Sequence, residues 1–325
     1  MRKRTIIFVT LLALLLVVLC PFIGIIFIDP RGIARGFSSQ EHQIFWELRV
    51  PRVLIAFLTG GSLALCGFVY QKIFHNILVC PYTIGVSSGA ALGASLAVKL
   101  GLVGAVFGIS PHVGSALMGA LLVMFLVALL SRWASSGLEL LLSGVVVSIF
   151  CSSIIILLQY LSDFTEIFRI TRWLMGGFDS ITPPTLFSLV PLIVVATLVI
   201  VRFSYEIEIL ALGDEIALTR GVEVQRIRLY ILAATSLLVG ATVSAAGPIG
   251  FVGIIIPHTA RMLASCYGKK AQALCWLLGG SFLVFCDTIG RILIAPFEIP
   301  VGVITALVGS PFFVLLLLRR TNAMR

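Results

Sequence analysis

The chain is 325 residues long, 59% hydrophobic and only 11% charged, with 23 Lys and Arg against 14 Asp and Glu and a formal net charge of +9. A soluble domain carries about 25% charge, so a water-dispersed enzyme, a secreted disulfide scaffold and a disordered tail are excluded. The basic residues are scattered between apolar runs rather than clustered, which argues against a nucleic-acid partner despite the net charge.

What remains is an all-α polytopic membrane protein. Thr5–Ile28 is 24 residues without a charge, about 36 Å of helix at ~1.5 Å per residue and enough for a ~30 Å hydrocarbon core. Met1-Arg2-Lys3-Arg4 resembles a signal-peptide n-region. The apolar block is too long for an h-region and no small-residue cleavage site follows, so an uncleaved first span is expected. The predicted spans are then Thr5–Ile28, Val53–Gln71, Thr83–Leu100, Val113–Leu130, Leu138–Leu161, Thr185–Val201, Leu229–Ala246, Ile249–Ala264, Gln272–Cys286 and Val301–Leu318. Both termini are basic, which places both in the cytoplasm and requires an even number of crossings. Ten crossings put fifteen Lys and Arg inside and eight outside, the expected sign of bias. One transmembrane domain over residues 1–325 is expected, in the inner (cytoplasmic) membrane.

Exterior segment Asp29–Arg52 holds Arg31, Arg35, Arg49 and Arg52; with Arg291 they form a basic cluster suited to an acidic exterior partner. Pro51 sets the entry geometry of the second span. Gly85, Gly89 and Gly93 are four apart, a small-residue face that lets another helix approach closely. Ser162–Pro184 is the second long exterior segment. The longest cytoplasmic loop, Arg202–Arg228, contains a short helix signature: Asp214 and Glu215 in a first turn, Ala217 within it, Arg220 in the last turn, Gly221 at the stop. Such a helix suits docking of a cytoplasmic partner or rests at the interface. Gly247-Pro248-Ile249-Gly250-Phe251-Val252-Gly253 predicts a tight turn or broken helix, tolerated at membrane depth only when buried in protein or lining a wet cavity. Pro257 interrupts the eighth span. His258 and Arg261 either snorkel at its cytoplasmic end or touch a cytoplasmic partner. Asp287 and Arg291, i and i+4, read as a structural ion pair or, alternatively, as a proton relay.

The seven cysteines lack C-x-x-C spacing and are expected to pack as small hydrophobes. His42, His75, His112 and His258 are too dispersed for a metal site, and no cofactor is implied. No G-x-x-x-x-G-K-[ST] occurs, so any nucleotide chemistry must come from another chain. No H-E-x-x-H or G-x-S-x-G occurs either, so enzymatic activity is not expected.

Four stretches, LRVPRVLIAFLTGGSLALCG (Leu48–Gly67), NILVCPYTIGVSSGAALGA (Asn76–Ala94), GPIGFVGIIIPHTAR (Gly247–Arg261) and CDTIGRILIAPFEIPVGVITALVGSPFF (Cys286–Phe313), resemble the FecCD/BtuC-type permeases, the membrane subunits of type II ATP-binding-cassette importers for iron–siderophores, haem and cobalamin. The resemblance implies a dimer of two ten-span subunits, expected to be a homodimer, around a central pathway. It also implies two cytoplasmic ATPases and an exterior substrate-binding protein. It makes Leu212, Gly213, Asp214, Glu215, Ala217, Arg220 and Gly221 the ATPase-coupling element, and sets Arg49, Arg52 and Arg291 opposite acidic residues of the binding protein. Asn76 and Leu78 fall in a cytoplasmic gate loop, with Ser135 and Ser136 as its second part. That loop departs from the family pattern N-P-L-A-D-P at Ile77 and Cys80. The implied cargo is an iron–siderophore, with haem or cobalamin as alternatives; an ion-coupled secondary transporter using Asp287 is the alternative of another class.

Overall fold

The structure, a computed structural model, describes residues 2–24, 28–29, 39–102, 104, 110–130, 137–179, 181–264, 267–294 and 296–323. Each long apolar run is helical. In chain order the helices are α1 (Arg2–Leu19), α2 (Val50–Ile73, entered through helical turns at Ser39–Gln43 and Ile44–Arg49), α3 (Val86–Lys99), α4 (Pro111–Leu130), α5 (Gly137–Tyr160) and α6 (Phe164–Leu174). Then follow α7 (Pro183–Arg202), α8 (Ser204–Leu210), α9 (Asp214–Thr219), α10 (Val224–Ala246), α11 (Val252–Leu263), α12 (Gly268–Ile292) and α13 (Val301–Ala323). No strand occurs among the described residues.

Ten of these helices fall on the ten predicted apolar runs, while α6, α8 and α9 lie in the predicted loops. Among the described residues, six helical stretches are long and apolar enough to cross a bilayer, and Pro111–Val127, Val252–Leu263 and Val301–Leu315 are shorter apolar helices. The first run stops being α-helical earlier than expected. Its α-helix ends at Leu19, and a 3-10 turn at Cys20–Phe22 follows, because Pro21 has no N–H to extend the ladder.

The core is built around α2, which packs along α12, α10 and α11. The approach to α12 is backbone on backbone: a Cβ on Gly60 would lie 2.2 Å from the Gly279 carbonyl oxygen. Gly89 and Gly93 face α4 in the same way, 2.5 Å from the Gly119 oxygen and 2.0 Å from the Ser115 oxygen for an added Cβ. Gly85, expected on that face, instead precedes the helix with φ +93 and abuts Gly144 of α5. Buried hydroxyls of Thr235, Thr242 and Thr288 donate to carbonyls four residues back, so these polar atoms stay satisfied without water. Several helices remain peripheral, α5 and α13 among them. α5 packs on α3, α4 and α6, α13 on α11 and α12, and both leave large apolar side chains exposed, among them Ile149, Phe150, Ile156, Leu307 and Val308. The six described cysteines are buried and form no disulfide.

Candidate functional site

The predicted site residues gather in three places along α2: at its start, beside its last turns, and just beyond its end.

At the start of α2, Arg52 is clamped between helices. Its Nε and Nη2 donate to Asp287 Oδ1 at 3.1 and 2.9 Å, and Nη1 donates to Glu298 Oε2 at 2.7 Å. Asp287 is 3% exposed and is shared with Arg291, whose Nε lies 3.2 Å from Oδ2. The expected Asp287–Arg291 pair is present, but it is half of a network whose other half comes from 235 residues earlier. Arg291 donates from Nη1 to the Ile23 carbonyl at 3.1 Å and from Nη2 to Thr288 Oγ1 at 3.2 Å. Arg49 donates from Nη1 to the Pro21 and Phe22 carbonyls at 3.2 and 3.3 Å. Two of the three arginines expected to await an acidic partner are thus engaged with carbonyls of the 3-10 turn that follows α1 and of Ile23 just beyond it. The last carbonyls of a helix have no intrahelical donor and carry partial negative charge, so cations settle there. For Arg291 the expectation of an outward charge is corrected: the residue is 4% exposed. Arg31 and Arg35 lie outside the described residues.

Beside this cluster α6 is held by a capping box, Asp163 Oδ1 accepting from the Glu166 N–H and Glu166 Oε2 from the Asp163 N–H, and by Lys99, whose Nζ is 2.8 Å from Glu166 Oε2. The hydrogen bond from Lys99, then that from Ser162, hold the Glu166 carboxyl below its ordinary range. At Asp179 burial is the largest influence and opposes ionisation, yet the hydrogen bonds from Arg172, that from its own backbone N–H and the charges of Arg172 and Arg52 together outweigh it, and the carboxyl is likewise lowered. A carboxylate with a lowered folded-state pKa stabilises above its unfolded pKa, and that contribution disappears as pH falls through the lower value. The attachment of α6 is therefore expected to weaken only under acid conditions, below the usual glutamate range. Glu166→Gln should flatten that acid response, read from the fluorescence of Trp173 at the end of α6; an unchanged acid transition in the variant would reject the assignment.

Beside the last turns of α2, the broken helix and the loop expected to act as a gate share a wall. Gly247 ends α10 with φ +70, and Phe251 starts α11 with φ +67, an uncommon conformation for a residue with a side chain. Gly253 packs against Gly67 of α2, and its carbonyl accepts from Gln71 Nε2 at 3.0 Å. Gln71 Oε1 accepts in turn from Arg261 Nη2 at 2.7 Å. Arg261 therefore ties α11 to α2, a third role beside the two expected, while Pro257 is buried inside α11 and His258 is half-buried. Pro248, Gly250 and Phe251 line a cavity of about 810 Å³ together with Cys80, Tyr82 and Leu307. The irregular backbone at Gly247–Phe251 thus runs along this cavity. The Asn76–Thr83 loop turns tightly: Asn76 Oδ1 accepts from the Leu78 N–H at 2.9 Å, and Thr83 Oγ1 from the Cys80 N–H at 3.0 Å. Leu78 and Tyr82 are exposed at its rim. Ser135 and Ser136 lie outside the described residues.

Beyond the end of α2 sits the predicted short helix. α9 spans Asp214–Thr219 and ends as the sequence indicated: the Gly221 N–H donates to Leu218 O at 3.0 Å, the Val222 N–H to Ala217 O at 3.0 Å, and Gly221 has φ +75. This double closure satisfies orphan carbonyls and needs a left-handed residue at Gly221. Ala217 is fully buried on the inner side of α9, Asp214 pairs with Arg228 at 2.9 Å, and Gly213 enters the helix with φ +115. Leu212, Ile216 and Leu218 face outward, Leu218 being 62% exposed; Glu215 and Arg220 are exposed between them. A notch of about 400 Å³ separates α9 from Phe74 and His75 at the end of α2. α8 braces the same region, Glu208 bridging Lys72 of α2 and the Gly268 N–H of α12 at 2.7 Å.

Sequence reasoning missed Glu298, Glu208, Arg228 and Gln71 as partners. None is near its partner in the chain except Arg228. Only Glu298 lay inside a stretch already singled out by family resemblance.

A family model described as the FecCD transport family matches residues 11–319. The chain is 35% identical over 312 residues to the vitamin B12 import system permease protein BtuC of Klebsiella pneumoniae, covering 95% of this chain and 91% of that protein. It is 34% identical over 279 residues to the hemin transport system permease protein HmuU of Yersinia pestis, covering 85% and 84%. A solved structure described as a metal-chelate type ABC transporter in an inward-facing conformation superposes with a TM-score of 0.88 at 30% identity, over 98% of this chain and 99% of that one.

Proposed function

This chain belongs to the FecCD transport family, and from that premise we propose that it is one membrane half of an inner-membrane importer for a metal chelate, an iron–siderophore in the first place. Two copies pair through the exposed faces of α5 and α13 and enclose the pathway. A separate ATPase grips Leu212, Ile216 and Leu218 around α9. A substrate-binding protein delivers cargo at the Arg52 end, with Arg49 and Arg291 supporting that surface from behind. ATPase closure moves α9, and through α8 and the end of α2 it moves the Asn76–Leu78 loop.

The observation that carries the choice of cargo is the pathway wall. Its described lining, from Cys80 and Tyr82 through Phe251 to Pro311, contains no charged side chain. A bare cation crossing such a wall would lose its hydration with nothing in return, whereas a chelate brings its own ligands. Haem and cobalamin satisfy the same requirement, and the similarity to hemin and vitamin B12 permeases favours keeping them as alternatives. Ion coupling through Asp287 finds less support: that carboxylate is locked between two guanidiniums.

The test is uptake of a radiolabelled ferric chelate by vesicles holding this subunit with and without its co-purified ATPase and binding protein. ATP-dependent uptake is expected only with all three present. Leu218→Glu should weaken ATPase binding about 10–100-fold, the loss of one buried leucine at ~1.5–3 kcal/mol. Uptake by the subunit alone on an ion gradient would overturn the proposal.

A further inference from the structure

The geometry points to the Arg52–Glu298 pair as a self-occupied carboxylate receptor: in the undocked protein Glu298 fills the place that a carboxylate of the binding protein takes on docking. This rests on the docking of a binding protein at that end, and goes beyond it by naming an internal competitor.

The two partners of Arg52 are of unlike kinds. Asp287 is buried, approaches both Arg52 and Arg291, and sits on the well-packed end of α12. Removing it from Arg52 would strand charges out of water, so it is the fixed anchor. Glu298 is 34% exposed and makes a single 2.7 Å contact to Nη1. It lies in the connection between α12 and α13, where Leu293, Ile294 and Phe297 are 66%, 55% and 76% exposed. The next residue, Ile299, is tied to the Gly290 carbonyl at 3.0 Å, so an exchange at Nη1 asks only the Glu298 side chain to swing away. An incoming carboxylate can take over Nη1 while Asp287 keeps Nε and Nη2.

The exchange also answers an electrostatic problem. The Arg52 side chain is only 14% exposed, so a guanidinium half-emptied on undocking would leave a poorly hydrated donor without a partner. Glu298 returns to that donor and keeps it satisfied in both states. A second pair repeats the arrangement beside it. Arg172 Nη2 and Nε donate to Asp179 Oδ2 at 2.7 and 3.1 Å, with the two side chains 54% and 41% exposed. The two pairs line one recess floored by Gly176, Gly177 and Pro300. Apolar Leu293, Ile294 and Phe297 beside alternating charges form the apolar centre and polar rim of a protein interface. The partner that fits is a protein presenting carboxylates next to an apolar patch.

The experiment measures the dissociation constant of the binding protein recovered and purified with the tagged transporter, against the full transporter in nanodiscs. Glu298→Gln should tighten binding about threefold to tenfold and steepen its weakening by salt, because the competitor is gone and the surface gains a positive charge. Asp179→Asn, on the more exposed pair, should shift binding in the same direction. Arg52→Gln should weaken it at least tenfold. If Arg52→Gln weakens binding while Glu298→Gln and Asp179→Asn leave it unchanged or weaker, the carboxylates are mere supports and the inference fails while docking at Arg52 stands. If Arg52→Gln leaves binding intact, the docking assignment itself fails.

Discussion

Replacing Asp287 with asparagine is expected to destabilise the folded subunit by about 3–5 kcal/mol, the usual cost of breaking a buried ion pair from one side. The carboxylate is approached by Arg52 at 2.9 Å and by Arg291 at 3.2 Å, and is almost completely buried. Asparagine leaves two guanidiniums facing a neutral amide. Arg291 keeps its bonds to Ile23 O and Thr288 Oγ1, but Arg52 retains only the half-exposed Glu298 as a charged partner. The double variant Asp287→Asn, Arg291→Met should recover part of the loss, because it removes one of the stranded charges. Thermal unfolding in detergent measures both. The comparison also separates the classes of mechanism. A proton relay through Asp287 predicts a folded variant that has lost ion coupling; a structural network predicts a variant that unfolds early and, where folded, still transports on ATP. Normal stability with lost coupling would reject the network.

How much of this was legible in the sequence depends on the range of each interaction. The short helix α9 was readable because all its determinants are local: two acidic residues at its start, and a glycine whose left-handed backbone closes it four residues after Ala217. The break at Gly247–Phe251 was readable for the same reason, since Gly-Pro removes a donor wherever it stands. The partnership of Arg52 with Asp287 was not readable. It joins residues 235 positions apart, and nothing near Arg52 distinguishes an arginine bound for a partner protein from one bound for a buried aspartate. Arg49 and Arg291 make the point sharper. Their charge suggested an outward surface, yet the turn after α1 offered the Pro21, Phe22 and Ile23 carbonyls closer by, and the early stop at Pro21 put those carbonyls within reach. Charge pattern locates the end of the bundle at which arginines gather; which of them remain available is decided by helix ends that only the folded structure brings alongside.

Gly279→Val tests the opposite kind of constraint, one of shape rather than charge. A Cβ at Gly279 would lie 2.3 Å from the Gly60 carbonyl oxygen and 2.5 Å from Ala64 Cβ. Both obstacles belong to the α2 helix itself, so no rotamer change relieves them and the two axes must separate. Overpacking in a well-filled interior costs about 1–3 kcal/mol, and more when backbone must shift; this site belongs at the upper end or beyond. Separation also has a functional reach, because the same two helices carry Arg52 and Asp287 at one end and Lys72 and Gly268, bridged by Glu208, at the other. A valine variant that still inserts should therefore lose ATP-driven uptake as well as stability. Gly114→Ala on α4 supplies the control. An added Cβ there meets nothing within 4 Å, and exchanging a helical glycine for alanine is ordinarily favourable by about 0.5–1 kcal/mol. Unfolding midpoints and uptake measured on the pair should fall sharply for Gly279→Val and hold or rise for Gly114→Ala. Equal behaviour of the two would mean that the α2–α12 crossing is not what sets the architecture.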